Sequence, residues 1–182
     1  MMAKTEDNLK TAFAGESQAR NKYDYFAKAA RKEGYNYIAK IFEETAINEH
    51  QHAKEELKLL NGIGSTKENL KAAASGENYE HIKMYPEFAK QAKLDGNAKA
   101  AELFTKIGDV EAFHEKRYRK LLERVEKGTV YKREKPIAWK CSKCGHIHTG
   151  KEAPGKCPIC GHEQAYFEPE CTCFEEGCEA CN

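Results

Sequence analysis

The chain has 182 residues, which is enough for one ordinary domain and a small additional module. Charged residues make up 32% of it, hydrophobic residues 40%, and the formal net charge is +1, so the composition does not support a nucleic-acid or membrane partner. No apolar run reaches the roughly 18 residues of a membrane span. The first residues lack the apolar core of a signal peptide, so we expect a cytoplasmic protein.

The N-terminal two thirds of the chain have the periodicity of long helices. Apolar residues recur at steps of three and four. Gly34 and Gly96 interrupt this pattern where helix ends are expected. Ser65 and Glu68 have the spacing of a capping box at the start of a helix. These signals predict four helices, over about 5–33, 37–60, 66–94 and 97–126.

The helical part contains an internal repeat. Glu16 corresponds to Glu77 at an offset of 61 residues, whereas Tyr23 corresponds to Tyr85 at an offset of 62. One residue has therefore entered the third helix between Glu77 and Tyr85. A single insertion in a helix is best accommodated as a π-bulge, and such bulges often occur at functional sites.

A Glu-x-x-His motif occurs once in each repeat, as Glu49–His52 and as Glu111–His114. Helical residues three apart point within about 60° of each other, so each pair can reach one point. His50 points about 100° away from Glu49 on the other side. The motif therefore predicts that His52, and not His50, works together with Glu49.

Each half of the repeat supplies one further glutamate in a matched position, Glu16 and Glu77. Four carboxylates and two imidazoles in this arrangement are typical of di-iron and di-manganese carboxylate bundles. Two divalent ions about 3.5–4 Å apart need bridging carboxylates to screen their repulsion. The alternative is that these are surface residues of a highly charged chain. We expect four other polar helix residues to lie on the surface: His50, His81, Glu55 and Glu56.

Three further residues are candidates for a catalytic role. Glu80 lies three residues after Glu77 on the same helix face and has no carboxylate counterpart in the first half. A third carboxylate would let one metal change ligands when its charge changes. Tyr23 lies seven residues after Glu16, and Tyr85 is its counterpart. The tyrosines are either aromatic core residues or phenols near the metals that donate a hydrogen bond or a proton.

All eight cysteines fall between Cys141 and Cys181, which in a reducing compartment favours metal binding over structural disulfides. Four of them form two C-x2-C pairs twelve residues apart: Cys141, Cys144, Cys157 and Cys160. This spacing predicts one tetrahedral metal with four thiolate ligands. Sulfur ligands do not separate iron from zinc, and a neighbouring di-iron site, which needs one-electron donation, favours iron.

The other four cysteines lie in the C-terminal tail: Cys171, Cys173, Cys178 and Cys181. Metal binding, reversible disulfides and a loose structure are all compatible with their spacing. Their role stays open.

Five motifs together resemble the rubrerythrin family, over about residues 3–168. They are "FAGESQARNKY", "NEHQHAK", "GENYEHIKMYPEFA", "EAFHEKRY" and "WKCSKCG…KCPICGH". The resemblance implies an all-α, ferritin-like four-helix bundle followed by a small rubredoxin-like metal-binding domain of strands and loops. We expect the boundaries to be 1–128 for the bundle, 129–136 for a linker, 137–168 for the rubredoxin-like domain and 169–182 for a tail.

The resemblance also implies an activity, the reduction of hydrogen peroxide in an anaerobe. The electrons would come from NADH through an external reductase or rubredoxin, by way of an iron held by the four paired cysteines. Glu80 would exchange with His52 as the redox state changes, with Tyr23 and Tyr85 in supporting catalytic roles. The implied di-iron ligands are Glu16, Glu49, His52, Glu77, Glu80, Glu111 and His114.

Two alternatives belong to other functional classes. One is a ferritin-like ferroxidase that oxidises and sequesters iron, and the other is a structural zinc protein whose helices bind a partner. The expected assembly is a homodimer. Only about five residues join the second and third helices, too few to run back along a bundle more than about 30 Å long. We therefore expect helix pairs to be exchanged between two subunits.

Overall fold

The computed structural model describes residues 2–170, with side chains from Lys4 onward, so the predictions for the four tail cysteines lie outside the described residues. The helices are α1 (Met2–Lys32), α2 (Asn36–Leu59), α3 (Thr66–Tyr79), α4 (Tyr85–Leu94) and α5 (Ala98–Glu126), with a π-helical segment at Glu80–Met84. The strands are β1 (Lys132–Cys141), β2 (Ile147–Glu152) and β3 (Phe167–Pro169). Two compact units divide between Asn69 and Leu70.

The first unit is a helix hairpin of α1 and α2. The helices are linked by a turn at Gly34, whose φ of +88° is accessible to glycine at little cost. Small residues (Ala27, Ala30 and Ala39) form the buried contact, and Phe42 packs against them. Alanines at this contact let the helices approach closely.

The start of α3 confirms the predicted capping box. The Ser65 backbone N–H donates to Glu68 Oε2 at 2.7 Å, and the Glu68 N–H donates to Ser65 Oγ at 3.3 Å. Two otherwise unpaired groups at the helix start are satisfied in this way.

The predicted insertion in the third helix is confirmed. The helix runs from Thr66 to Leu94 but is π-helical at Glu80–Met84, between Glu77 and Tyr85. The wider turn accommodates the extra residue without ending the helix. Consequently Glu77 and Tyr85 each keep the position that Glu16 and Tyr23 have in the first half.

The second unit continues with α4 and α5, which pack together. Their turn resembles that of the first hairpin, since Gly96 has a φ of +73°. Ala89, Ala92 and Ala101 are buried along these two helices. The internal repeat of the sequence is therefore also a structural repeat of two helix hairpins.

A small antiparallel sheet in the order β2-β1-β3 forms the last described part. Its core consists of Trp139, Cys141, Ala153, Cys157 and Phe167. The indole N–H of Trp139 is satisfied inside by donating to the Gly150 carbonyl at 3.0 Å. So small a core holds little apolar surface, and a metal is the expected source of further stability.

Candidate metal centres

The first helix hairpin brings together Glu16 of α1 with Glu49 and His52 of α2. His52 Nδ1 lies 2.8 Å from Glu49 Oε2 and 3.8 Å from Glu16 Oε2. Both glutamates are half-buried, whereas His52 is exposed. One ligand atom from each residue lies within 4.8 Å of the others. Two carboxylates and an imidazole in this arrangement suit iron, manganese or zinc.

The second hairpin builds the same set from Glu77 of α3 with Glu111 and His114 of α5. His114 Nδ1 lies 2.6 Å from Glu111 Oε2 and 3.7 Å from Glu77 Oε2. These distances agree with those of the first set to within 0.2 Å. The repeat therefore produces two equivalent three-residue sets, one on each hairpin.

The two glutamates that come from α1 and α3 have raised pKa values. For Glu16 the first cause is a hydrogen bond shared with Glu49, followed by burial. For Glu77 burial comes first, followed by the hydrogen bond shared with Glu111. Two like charges at this distance repel, and this favours a proton held between the facing carboxyls when no cation is present. A divalent cation would take the place of that proton.

Glu80 begins the π segment and is half-buried. It is not part of the three-residue set, but its negative charge raises the pKa of Glu77. It also contributes to a raised pKa of Tyr85, after burial as the largest cause. Glu80 therefore acts electrostatically on both the second set and the neighbouring phenol.

Tyr23 and Tyr85 occupy equivalent aromatic clusters. The Tyr23 ring lies 6.0 Å from the Phe42 ring, and the Tyr85 ring lies 6.2 Å from the Phe104 ring. Both rings therefore pack against a phenylalanine of the neighbouring helix, and a role of the phenols in catalysis stays a prediction. For Tyr85 the charges of Glu80, Glu111 and Glu77 also act on the phenol.

The four cysteines predicted to bind one metal lie together in the small domain: Cys141, Cys144, Cys157 and Cys160. The sulfur atoms of Cys141 and Cys160 are 3.7 Å apart, and those of Cys144 and Cys157 are 3.6 Å apart. A tetrahedral site with metal–sulfur bonds of about 2.3 Å needs sulfur atoms about 3.8 Å apart. The cluster therefore has nearly the dimensions of a tetrathiolate metal site.

Two of these thiols have strongly shifted pKa values. For Cys144, a hydrogen bond with the His146 backbone lowers the pKa. Burial and the neighbouring thiols have a larger effect in the opposite direction, and the pKa is raised to about 12. For Cys157, burial raises the pKa, but hydrogen bonds with the backbone of Cys160 and Ile159 lower it, to about 7. Of these two thiols, Cys157 therefore loses its proton more readily.

Of the four polar helix residues that were expected on the surface, two are exposed and two are half-buried. His50 is exposed, as predicted, and so is Glu55, which binds Lys58 at 2.9 Å. The prediction for Glu56 is wrong, because it is half-buried and its Oε2 has no hydrogen-bond partner. Glu56 lies seven residues after Glu49, and this spacing places both on one face of α2.

The prediction for His81 is also wrong, because its ring is half-buried against Glu115. Glu115 is the buried charged residue of the described chain, with 9% of its surface exposed. Its carboxylate accepts hydrogen bonds from Asn78, His81 and Arg119. Glu115 was not predicted from the sequence, because only residues that match between the two repeats were considered. The residue of the first repeat that corresponds to Glu115 is Ala53.

Comparisons with known proteins agree with this arrangement. The family model described as "Rubrerythrin" matches residues 7–122, and the one described as "Rubrerythrin, rubredoxin-like domain" matches residues 139–168. The four-cysteine cluster falls in the second range, and both Glu/Glu/His sets fall in the first.

Relatives match along nearly the whole chain. A rubrerythrin from Porphyromonas gingivalis is 50% identical, over 92% of this chain and 90% of the relative. One from Nitratidesulfovibrio vulgaris is 43% identical, over 91% of this chain and 94% of the relative. A solved structure of nigerythrin in a partially reduced state is 36% identical, over 91% of this chain and 86% of that chain, with a TM-score of 0.36.

The predicted fold class and cofactors are thereby confirmed: a ferritin-like helical part with the Glu/His groups of a di-iron centre, and a rubredoxin-like domain with four clustered cysteines. Within residues 2–170, no helix combines the length and apolarity needed to cross a bilayer. The family model covers more than half of the chain, and the relatives exceed 40% identity along nearly all of it. This chain belongs to the rubrerythrin family of di-iron proteins.

Proposed function

We propose that this protein reduces hydrogen peroxide to water with electrons that enter through the four-cysteine cluster. One observation carries the proposal: a single chain combines two equivalent Glu/Glu/His sets with a tetrathiolate cluster. A storage protein needs the first kind of site only. A one-electron carrier in the same chain is useful when the helical site must be reduced repeatedly.

The proposed reaction consumes two electrons and two protons for each hydrogen peroxide and yields two waters. When bound, the two irons supply one electron each to the O–O bond. The proposed ligands are the members of the two sets, with Glu80 as an additional, exchanging carboxylate: Glu16, Glu49, His52, Glu77, Glu80, Glu111 and His114. The residues of the chain must then deliver the protons.

Tyr85 is our candidate for the proton donor of the second hairpin. Burial and the negative charges of Glu80, Glu111 and Glu77 raise the pKa of its phenol. The proton is therefore held on Oη at neutral pH and is available to a developing hydroxide. Tyr23 has the equivalent position in the first hairpin, where Glu80 has no counterpart. We assign Tyr23 the same role, without the additional carboxylate.

Electrons would reach the four-cysteine cluster from an external donor, a reductase or a rubredoxin that is itself reduced with NADH. Cys141 and Cys157 are buried, whereas Cys144 is exposed and Cys160 half-buried. The side chain of Ile159, beside Cys160, is 70% exposed. This exposed edge of the cluster is the surface where we expect the donor to dock.

We further propose that the protein is a homodimer that exchanges helix pairs. Residues 60–65 connect α2 to α3. Six residues span at most about 21 Å, whereas the 24 residues of α2 form a helix about 36 Å long. The connection is thus too short to return along α2. Gel filtration tests the assembly, because a dimer or tetramer supports the proposal and a large shell supports iron storage.

Stopped-flow spectroscopy of the fully reduced protein tests the activity. The protein is loaded with iron without oxygen, reduced, and mixed with hydrogen peroxide. We expect the visible absorption of oxidised tetrathiolate iron to appear as peroxide is consumed. A cluster that stays reduced while peroxide disappears would contradict the proposed electron relay. Peroxide that is not consumed at all would contradict the peroxidase.

A further inference from the structure

The buried carboxylate of Glu115 binds Asn78 and His81, which lie on either side of Glu80 in the sequence. Glu115 of α5 accepts from Asn78 Nδ2 at 3.1 Å and from His81 Nε2 at 2.6 Å. Arg119 Nε donates to the same carboxylate at 2.5 Å. An ionised carboxylate only accepts hydrogen bonds, so Nε2 of His81 carries the proton. We call these four residues (Asn78, His81, Glu115 and Arg119) the Glu115 clasp.

The clasp spans the point where the helix changes from α to π. Asn78 lies in the last turn of α3, whereas His81 lies in the π segment Glu80–Met84. Both donate to Glu115, which belongs to α5. Hydrogen bonds to a buried, charged acceptor are among the stronger ones in proteins. They tie the backbone on either side of Glu80 to a neighbouring helix.

The first hairpin provides an internal comparison. The repeat counterpart of Glu115 is Ala53, which is buried and has no hydrogen-bonding side chain. The corresponding part of α1 is regular α-helix with no inserted residue. The buried acceptor and the π segment therefore occur together in one half of the repeat, and both are absent from the other.

We propose that Glu115 is a positioning residue, which acts through the Glu115 clasp to fix the π segment and thereby the position of Glu80 along the helix. The inference rests on the proposed role of Glu80 as a metal ligand. Glu115 would not touch the metal or the substrate itself. Its effect would be to keep the Glu80 carboxylate at one position along the helix, close enough for its charge to act on Glu77.

The first test uses amide hydrogen exchange of the metal-free protein. Glu115→Ala removes the acceptor, and Glu123→Ala is the matched control. Glu123 is an exposed glutamate of the same helix whose partner, Lys127, is four residues on, as Arg119 is from Glu115. We expect exchange in residues 80–84 to accelerate about tenfold or more in Glu115→Ala. Exchange in α1 and α2 should not change in Glu115→Ala. Glu123→Ala should change exchange neither in residues 80–84 nor in α1 and α2.

Uniform acceleration along the whole chain would show a general loss of stability and overturn the inference, as would unchanged protection of the π segment. If Glu115→Ala does not fold, Asn78→Ala and His81→Ala each remove one donor and are read in the same way. His81→Gln keeps a donor and should restore part of the protection.

The second test asks whether Glu115 acts through Glu80. Cobalt(II) is titrated into the metal-free protein, and binding to the Glu/His sets is separated spectroscopically from binding to the thiolates. We expect Glu115→Gln and Glu80→Gln each to weaken cobalt binding to the Glu/His sets. The double variant should bind no more weakly than Glu80→Gln alone. The thiolate cluster serves as the internal standard.

Additive losses in the double variant would overturn the inference, because Glu115 would then act independently of Glu80. Full cobalt affinity in Glu80→Gln would overturn both the inference and the ligand role of Glu80. Absence of peroxide turnover, with the expected exchange and cobalt results, would overturn only the peroxidase proposal. The two proposals are therefore tested separately.

Discussion

Nδ1 of His114 lies 2.6 Å from Oε2 of Glu111, three residues earlier on α5. His52 and Glu49 repeat this relationship at 2.8 Å on α2. In each case the pair faces a glutamate from the preceding helix of the same hairpin. Each hairpin thus carries half of the donors that two metal ions require.

Removal of one histidine should therefore affect the metal content of the helical part selectively. We expect His114→Ala to lower the content by about one ion per chain, from about three for the fully loaded protein. The physical reason is that its Glu/Glu/His set loses the only nitrogen donor. Metal quantitation with a visible spectrum measures the change.

His50→Ala is the matched control for that experiment, because His50 is an exposed histidine beside Glu49 that belongs to neither set. It should keep the full metal content. A loss in His50→Ala equal to that in His114→Ala would contradict the ligand assignment.

Glu77→Gln should stabilise the metal-free protein at neutral pH while it weakens metal binding. A carboxyl with a raised pKa binds its proton more tightly in the folded than in the unfolded chain, so folding becomes more favourable as pH falls through that pKa. Above it, Glu77 is charged, partly buried and next to Glu111. Glutamine mimics the protonated form, and we expect Tm to rise by roughly a few degrees.

Thermal unfolding of the metal-free variants at two pH values measures this effect. The advantage of Glu77→Gln should shrink at acidic pH, where the wild-type carboxyl is already protonated. Glu44→Gln, at an exposed glutamate, is the control. An advantage that grows toward acidic pH would refute the explanation.

Glu115 should show the opposite pH dependence. Hydrogen bonds from Arg119 and Asn78 lower its pKa to about 2, against the effect of burial. A lowered pKa contributes stability that is complete above the ordinary glutamate range and is lost as pH falls toward 2. The difference in the free energy of unfolding between the wild type and Glu115→Gln should therefore decrease by about 3 kcal/mol between neutral and strongly acidic pH.

Urea unfolding of both metal-free proteins across this range provides the measurement. Glu123→Gln should differ little from the wild type at either end, because its carboxylate is largely exposed. A constant difference between the wild type and Glu115→Gln at all pH values would contradict the lowered pKa.

Cys157→Ser should separate the two halves of the proposed reaction. The loss of one of four thiolates removes the tetrathiolate metal, but peroxide should still oxidise the reduced helical site once. Re-reduction by the external donor should then stop, with a loss of steady-state turnover of about a hundredfold or more. Single-turnover and steady-state peroxide assays compare the two steps.

Lys151→Ser is the control, since it introduces serine at an exposed position of the same small domain and leaves all four thiolates in place. It should keep the metal and the electron transfer within the protein. Unimpaired steady-state turnover in Cys157→Ser would show that electrons do not need the cluster.

Tyr85→Phe should slow the peroxide step and leave metal content unchanged. The ring keeps its contact with Phe104, and only the phenolic hydroxyl with its proton is lost. General acid catalysis contributes about a hundredfold or more in many enzymes, which sets the expected loss. Stopped-flow rates for Tyr85→Phe and Tyr23→Phe make the comparison, and equal rates for the wild type and both variants would leave the tyrosines as packing residues.

Much of this arrangement could be predicted from the sequence because it depends on local spacing. Glu49 and His52 are three residues apart on one helix, so their convergence follows from helix geometry alone. The repeat offset likewise located the π segment between Glu77 and Tyr85. The paired cysteines follow the same logic, because each C-x2-C turn directs two sulfur atoms to one side.

Contacts between residues distant in sequence were not predictable in this way. His81 pairs with Glu115, 34 residues away, and that depends on how α5 lies against the π segment. A pattern search that looks for matching residues in two repeats also passes over Ala53 and Glu115, which differ. The half-buried Glu56 was missed because a charged residue in a charged helix carries no local sign of burial.

The inserted residue of the π segment has a consequence for the ancestry of the chain. Two equivalent hairpins are what duplication of a single hairpin would produce, and such a product would treat its two metal ions alike. One additional codon between Glu77 and Tyr85 makes the halves differ in backbone geometry, since it widens the helix at the segment that begins with Glu80. Deletion of that codon would restore the seven-residue spacing that separates Glu16 from Tyr23, while Glu80 and Glu115 would still distinguish the second half.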